Sequence, residues 1–126
     1  MRVLFADDDA AYRLLLRAAF STFDGVDVIG EATNGQQAVE LVSRAVPDVV
    51  LLDVEMPVMD GFAAALAIRR ICPDARVVLH TGDLGDERRA RAAELDLVLF
   101  DKLDLHDTID LLAGLRRRDG IRPASS

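Results

Sequence analysis

Val49-Val50-Leu51-Leu52-Asp53-Val54-Glu55-Met56-Pro57-Val58-Met59-Asp60-Gly61 is the stretch that decides the architecture. Four apolar residues run without alternation into a single carboxylate. A strand with one wet face alternates apolar and polar side chains. A continuous run suits a strand covered on both faces, as in a parallel sheet. Pro57 and Gly61 then punctuate a loop. Gly61 to Ile71 has helical length and period, with Ala64, Ala67, Ile68 and Ile71 predicted inward. Pro73 closes that helix, because the residue before a proline disfavours helical backbone.

The same unit recurs on either side. Strand-like runs lie at Val3–Ala6, Val26–Gly30, Val77–Leu79 and Leu97–Phe100. Leu14, Leu15, Ala18 and Ala19 can share a face of a first helix. Ala38, Leu41, Val42 and Ala45 do so in a second, begun by Asn34 or Gly35. Asp86 to Glu94 gives a short fourth helix rich in Arg and Ala. Leu105 to Arg118 gives a fifth, with Leu105, Ile109, Leu112 and Leu115 on one face. Strands alternating with helices imply right-handed crossovers. Five such units predict an α/β fold: a flavodoxin-like, doubly wound (βα)5 parallel sheet of order 2-1-3-4-5. Residues 1–118 form one domain on this reading, and 119–126, with Gly, Pro and Ser, a loose tail or the start of a linker.

The 126 residues, 51% hydrophobic and 29% charged, suffice for one globular core. A net charge of -7 argues against direct contact with nucleic acid or an anionic membrane. The basic cluster Arg116, Arg117 and Arg118, with Arg122 beyond, reads as a solvated tail or linker. Cys72 alone cannot form an internal disulfide and is read as a structural thiol in a reducing compartment. No apolar run approaches the roughly 18–20 residues of a membrane span. Met1 to Phe5 leads into a strand without a secretory signal. The expected location is the cytoplasm.

Ligands of open parallel sheets sit at the carboxyl ends of the strands. There the sequence puts Asp7-Asp8-Asp9, Asp53, His80-Thr81-Gly82-Asp83 and Asp101-Lys102. Crowded carboxylates must be protonated, paired or bridged by a cation. Mg²⁺ meets that need with hard oxygen ligands. Lys102 offers a point charge for a phosphoryl oxygen or for Asp53, and Thr81 a hydroxyl donor. Asp53, ionised at neutral pH, can attack phosphorus without a general base. His80 is read as a structural or partly buried histidine rather than a phosphoryl acceptor, His106 as a surface or cap residue, Gly61 and Pro57 as loop architecture, and Met56 and Met59 as packing.

These motifs resemble the receiver domain of response regulators in two-component signalling, from about Val3 to Leu115. Val3 to Asp9 looks like that family's first strand and acidic pair, and Val49 to Gly61 like its phosphoacceptor strand and loop. Thr81-Gly82 resembles its switch threonine with the following small residue, and Lys102 its lysine. The resemblance implies phosphorylation of Asp53 by a sensor histidine kinase, a phosphotransfer protein or a small phosphodonor. Mg²⁺ would be bound by the Asp8 and Asp53 side chains, by the Glu55 backbone carbonyl and by Asp7 through water. The apolar strand running into Asp7 favours Asp7 and Asp8 as the pair, leaving Asp9 to cap the first helix. Phosphorylation would shift the surface of the fourth helix, fifth strand and fifth helix. A downstream output domain or protein, or a phosphorylation-linked homodimer, would read it.

Two positions depart from the family. Leu103 replaces the usual proline after the lysine. A cis bond without proline costs about 2.5–4 kcal/mol, so a trans bond and an altered loop are expected. Leu99 replaces an aromatic switch residue, while Phe100 faces the other side. Two rival readings use the same fold: a Mg²⁺-dependent phosphohydrolase, and a receiver-like binding module without phosphorylation.

Overall fold

The computed structural model describes residues 1–120, and side-chain surroundings for residues 1–112. The elements run β1 (Arg2–Ala6), α1 (Ala10–Phe20), β2 (Asp27–Ala32), α2 (Gly35–Ala45), β3 (Val49–Asp53), α3 (Gly61–Ile71), β4 (Arg76–Thr81), α4 (Asp86–Glu94), β5 (Val98–Asp101), a 3₁₀ turn (Lys102–Asp104) and α5 (Leu105–Gly120). The five strands form one sheet of order β2-β1-β3-β4-β5. Every neighbouring pair is parallel. This is the predicted topology.

The strand bounds move by one or two residues. β2 begins at Asp27 rather than Val26 and continues to Ala32, while β4 and β5 extend to Thr81 and Asp101. Polar residues at strand ends hide this pairing from a hydrophobicity pattern. α5 continues past Arg118 to Gly120, so residues 119 and 120, expected in the tail, are helical. Residues 121–126 of the expected tail, including Arg122, lie outside the described residues, as do the side chains of Leu115 and Arg116–Arg118.

β3 is buried along its whole length. Its side chains point alternately into two cores, which is why all of them are apolar up to Asp53. On one face Leu4, Val50, Leu52 and Leu79 pack with Val42, Phe62, Ile68 and Ala92 from α2, α3 and α4. On the other, Val3, Phe5, Leu51 and Val78 meet Leu16 and Phe20 of α1 and Ile109 and Leu112 of α5.

Two helix faces differ from the sequence reading. In α1, Leu14 (59% exposed), Leu15 (50%) and Ala18 point to solvent, and Leu16 and Phe20 are buried. Three consecutive leucines fit several phases. Phe20, stacked on Phe5 at 6.2 Å between ring centroids, fixes the one adopted. In α3, Phe62 and Ala65 join Ala64 and Ile68 inside, while Ile71 is 49% exposed and Ala67 only half-buried. Residues 62, 65 and 68 lie on one stripe.

The helix starts are capped as their sequences suggest. Asp9 accepts from Ala11 N at 2.9 Å, Asn34 from Gln37 N at 2.9 Å, and Asp60 from Ala63 N at 2.9 Å. Each such cap is typically worth about 1 kcal/mol. Two glycines clamp the loop after β3. Gly61 N donates to Val54 O at 2.9 Å, and Gly35 N to Met59 O at 3.1 Å. A Cβ on Gly35 would lie 2.2 Å from Met59 O.

Candidate functional site

Parallel strands of similar length end together, and this sheet gathers its polar ends at one edge. Asp7 follows β1 directly, Asp53 ends β3, Thr81 ends β4 and Lys102 follows β5. Carboxylate oxygens of Asp7, Asp8 and Asp53 lie within 4.8 Å of one another. Lys102 Nζ stands 2.7 Å from Asp7 Oδ2 and 3.4 Å from Asp53 Oδ2. Asp7 and Asp53 are buried, whereas Asp8 is exposed at the rim. An open cleft between the β3–α3 loop and α4 adjoins this corner and is lined by Asp8, Glu55, Asp83 and Arg88 among others.

Each group is held from behind. Asp7 Oδ1 accepts from Asp9 N at 2.9 Å, and the Asp7 carbonyl accepts from Arg13 Nη1 at 2.7 Å. Tyr12 of α1 braces Lys102 in two ways. Its ring lies 4.4 Å below the ammonium, and its hydroxyl donates to the Lys102 carbonyl at 3.4 Å. Leu103 follows in a trans peptide bond, 91% exposed, with its N–H donating to Asp101 Oδ1 at 2.9 Å. The connection there is a short 3₁₀ turn. Phe100 packs with the α1/α5 core and Leu99 with the opposite one.

Burial pushes the Asp53 carboxyl up to about 6, with the Asp7 charge adding to the shift and Lys102 opposing it. Burial alone would pull the Lys102 ammonium down. Its hydrogen bond to Asp7 and the charges of Asp53 and Asp7 outweigh that and hold it above its usual value. Burial, aided by Lys102, drops His80 to about 3, so the imidazole is neutral. Its Nε2 lies 3.8 Å from Asp7 Oδ2 and has no hydrogen-bond partner among the described residues. The ring tilts against Tyr12 at 5.2 Å. His80 is thus buried at the end of β4 beside Asp7 and Tyr12.

An acid whose folded pKa is raised adds stability below its unfolded value near 3.8 and loses it as pH rises through about 6. Ionised Asp53 therefore destabilises the metal-free protein at neutral pH. Asp53→Asn is expected to stabilise the metal-free chain at pH 7 by about 1–2 kcal/mol, after allowance for solvent at the cleft. The gain should vanish near pH 4. Denaturant unfolding at the two pH values in EDTA measures it, and an equal effect at both would sink the assignment.

The corner suits a divalent ion. Three carboxylates face one ammonium, so two negative charges remain, and the donors are all hard oxygens. Glu55 turns its side chain toward Arg88 instead, with Nη2 to Oε2 at 3.0 Å. Its N–H donates to Asp53 Oδ1 at 3.4 Å.

Thr81 is buried, and its Oγ1 accepts from Arg88 Nη1 at 2.6 Å. Arg88 lines the site without having been singled out by sequence reasoning, as does Tyr12 behind Lys102. A signal existed: Arg88 lies in the first turn of α4, where the helix dipole disfavours a cation.

Comparison with known proteins agrees with the geometry. The response regulator receiver domain family matches residues 3–118. Chemotaxis protein CheY of Thermotoga maritima is 42% identical over 78 residues, covering 62% of this chain and 64% of that protein. A protein-glutamate methylesterase/protein-glutamine glutaminase of Hahella chejuensis is 42% identical over 73 residues, covering 58% of this chain and 19% of the relative. The chain spans 18% to 26% of the length of the methylesterase relatives it matches. Among solved structures, the response regulator domain of Thermotoga maritima CheB superposes with a TM-score of 0.77 at 27% identity, over 98% of both chains. The signal receiver domain of NarL from Mycobacterium tuberculosis gives 0.73 at 35% identity, over 79% and 81% of the two chains. With the matching family spanning nearly the whole chain and the site's four elements meeting at one sheet edge, this chain belongs to the response regulator receiver domain family.

Proposed function

We propose that this chain is a phosphoacceptor switch of a two-component system, with Asp53 taking a phosphoryl group in a Mg²⁺-dependent reaction. The observation that carries this reading is Lys102 Nζ, set between Asp7 and Asp53 at 2.7 and 3.4 Å. A carboxylate oxygen of Asp53 attacks phosphorus, a P–O bond forms, and the bond from phosphorus to the donor breaks, its electrons leaving with the donor. The donor is a histidine kinase, a phosphotransfer protein or a small acyl phosphate.

The protein's part is positioning and charge neutralisation. Lys102 meets a phosphoryl oxygen while Asp7 holds its other side. Thr81 supplies a hydroxyl donor. Asp8, Asp53 and the Glu55 carbonyl would hold Mg²⁺, with Asp7 acting through water. The ion would supply charge stabilisation of the transferring group. The phosphorylated state favours a different arrangement of the α4–β5–α5 surface, which an output domain or partner reads. With Leu99 in place of an aromatic, that coupling runs through Thr81 and α4.

The phosphohydrolase alternative needs a first-strand Asp-x-Asp pair free for chemistry. Here Asp7 is bound by Lys102 and Asp9 caps α1, which speaks against it. No helix among the described residues is long and apolar enough to cross a membrane.

Incubation with acetyl phosphate and Mg²⁺, followed by intact mass measurement, tests the proposal. One phosphoryl group should be added, EDTA should prevent it, and Asp53→Asn should abolish it. Modification that persists in Asp53→Asn would refute the role given to Asp53.

A further inference from the structure

Arg88 stands where helix electrostatics gives it no support. α4 begins with Asp86 and Glu87, which suit the positive end of the dipole, and has no side-chain cap. A cation one residue later is kept there by other partners. The two N–H groups of its Nη1 are shared among Thr81 Oγ1 at 2.6 Å, the Asp83 carbonyl at 3.0 Å and Glu55 Oε1 at 3.2 Å. Its Nη2 pairs with Glu55 Oε2 at 3.0 Å. One planar guanidinium thereby ties together the loop after Asp53, the end of β4 and the first turn of α4. A forked donor is suited to such a task, and a lysine is not.

Thr81 is the group most affected. Its Oγ1 accepts from Arg88 and from Asp83 N at 3.1 Å, and its proton is directed at the Asp83 carbonyl, 3.4 Å away. Every polar partner of this hydroxyl among the described residues lies on the α4 side. A hydroxyl has one proton to give. To donate it to a phosphoryl oxygen on Asp53, Thr81 must withdraw its proton from the Asp83 carbonyl, and movement of Oγ1 toward Asp53 stretches the 2.6 Å bond it accepts from Arg88.

We propose that Arg88, anchored by Glu55, is a positioning residue that clasps Thr81 in its disengaged placement, so that phosphoryl capture at Asp53 must first release the clasp. This rests on the phosphoacceptor reading above. The clasp sets how readily Thr81 engages, and its release frees the first turn of α4 from β4. The Glu55 carboxylate is exposed, so its grip on Arg88 is screened and the clasp is weak enough to open.

The test is the affinity of the intact chain for beryllofluoride with Mg²⁺, measured by NMR titration. Thermal unfolding checks that each variant is folded. Arg88→Ala should bind the mimic about three- to tenfold more tightly, as expected for loss of one partly solvated charge-assisted contact that opposes binding. Arg88→Lys should shift the same way, since one ammonium cannot hold Thr81 and Glu55 together. Charge alone predicts the opposite, because removing a cation beside an anion weakens binding. In a Thr81→Ala background, Arg88→Ala should leave the affinity unchanged, which a merely structural role for Arg88 would not produce.

Weaker binding in Arg88→Ala, restored in Arg88→Lys, would make Arg88 a direct phosphoryl ligand and overturn the clasp. Unchanged affinity in both variants would reduce it to a surface ion pair and overturn the clasp as well. A wild type that takes neither beryllofluoride nor phosphoryl group overturns the phosphoacceptor reading itself, and the clasp with it.

Discussion

Lys102→Met should destabilise the metal-free chain by about 3–5 kcal/mol at neutral pH, a large share of the stability of a domain this size. Asp7 is 0% exposed, and its Oδ2 faces Lys102 Nζ at 2.7 Å and the neutral His80 Nε2 at 3.8 Å. Methionine fills much of the lysine's space but leaves that oxygen with no cation. Asp53, also buried, loses its partner in the same stroke. Breaking a buried pair costs far more than the pair contributes, because the remaining charge has nowhere to go. Lys102 has a raised folded pKa, so its contribution is fully present below its ordinary value of 10.5 and is lost only as pH rises beyond that. The deficit in the variant should therefore be clear at pH 7 to 8. It should shrink as pH falls through about 6, where Asp53 takes a proton. Added Mg²⁺ should restore more stability to the variant than to the wild type, since three carboxylates then lack any ammonium. Thermal unfolding by circular dichroism from pH 5 to 8, with and without Mg²⁺, reads all of this. Equal melting temperatures at pH 7 without metal would mean that Lys102 does not neutralise Asp7, and the account of the site would fail.

The sequence displayed the scaffold because the scaffold is built from repetition. A strand buried on both faces must be apolar throughout, and Val49 to Leu52 is. Ends of parallel strands must converge, so a carboxylate after β1, another after β3, a threonine ending β4 and a lysine after β5 could be placed together without coordinates. The helix faces were less legible. Leu14, Leu15 and Leu16 are adjacent, and only the fit of Phe20 against Phe5 chooses which of them faces the core. Val58 adopts φ 69, a left-handed conformation that a β-branched residue rarely takes. A glycine or asparagine there would have announced it, and valine does not. Arg88 was hidden for a different reason. Its partners lie in two other stretches of chain, Glu55 in the loop after β3 and Thr81 and Asp83 at the end of β4, and only the fold brings them to it.

The site and the switch thus use charge in two ways. At the base of the corner, Lys102 is locked between buried carboxylates and cannot leave without lasting cost. At the rim, Arg88 shares a hydroxyl and an exposed carboxylate and can leave cheaply. Under the proposed function, the fixed cation stands where phosphorus would arrive, and the removable one where its arrival would be sensed. Tyr12 adds to the first by bracing Lys102 through its ring and its hydroxyl, in a loop where Leu103 stands in place of the family's proline.

Gly61→Ala should lower stability by about 2–3 kcal/mol or more and impair phosphoryl capture beyond what that loss explains. The reason is space rather than backbone freedom. A Cβ on Gly61 would lie 2.3 Å from the Asp53 carbonyl oxygen, 2.8 Å from Val54 Cα and 2.9 Å from the Asp53 carbonyl carbon. These are backbone atoms at the buried end of β3, in Asp53 and the residue after it, and no rotamer change can move them aside. α3 must retreat, breaking the bond from Gly61 N to Val54 O, or Asp53 must shift. Either outcome disturbs the 3.4 Å approach of Lys102 to Asp53. Gly82→Ala is the control, because a Cβ there meets nothing within 4 Å. That change should stay within about 0.5 kcal/mol of wild type. Denaturant unfolding of both variants, alongside the initial rate of acetyl phosphate modification at a temperature where both remain folded, separates the effects. Similar stability losses at the two positions would show that α3 does not press on β3 as described. A destabilised Gly61→Ala that still modified at the wild-type rate would show that the placement of Asp53 tolerates more movement than the close packing of its backbone implies.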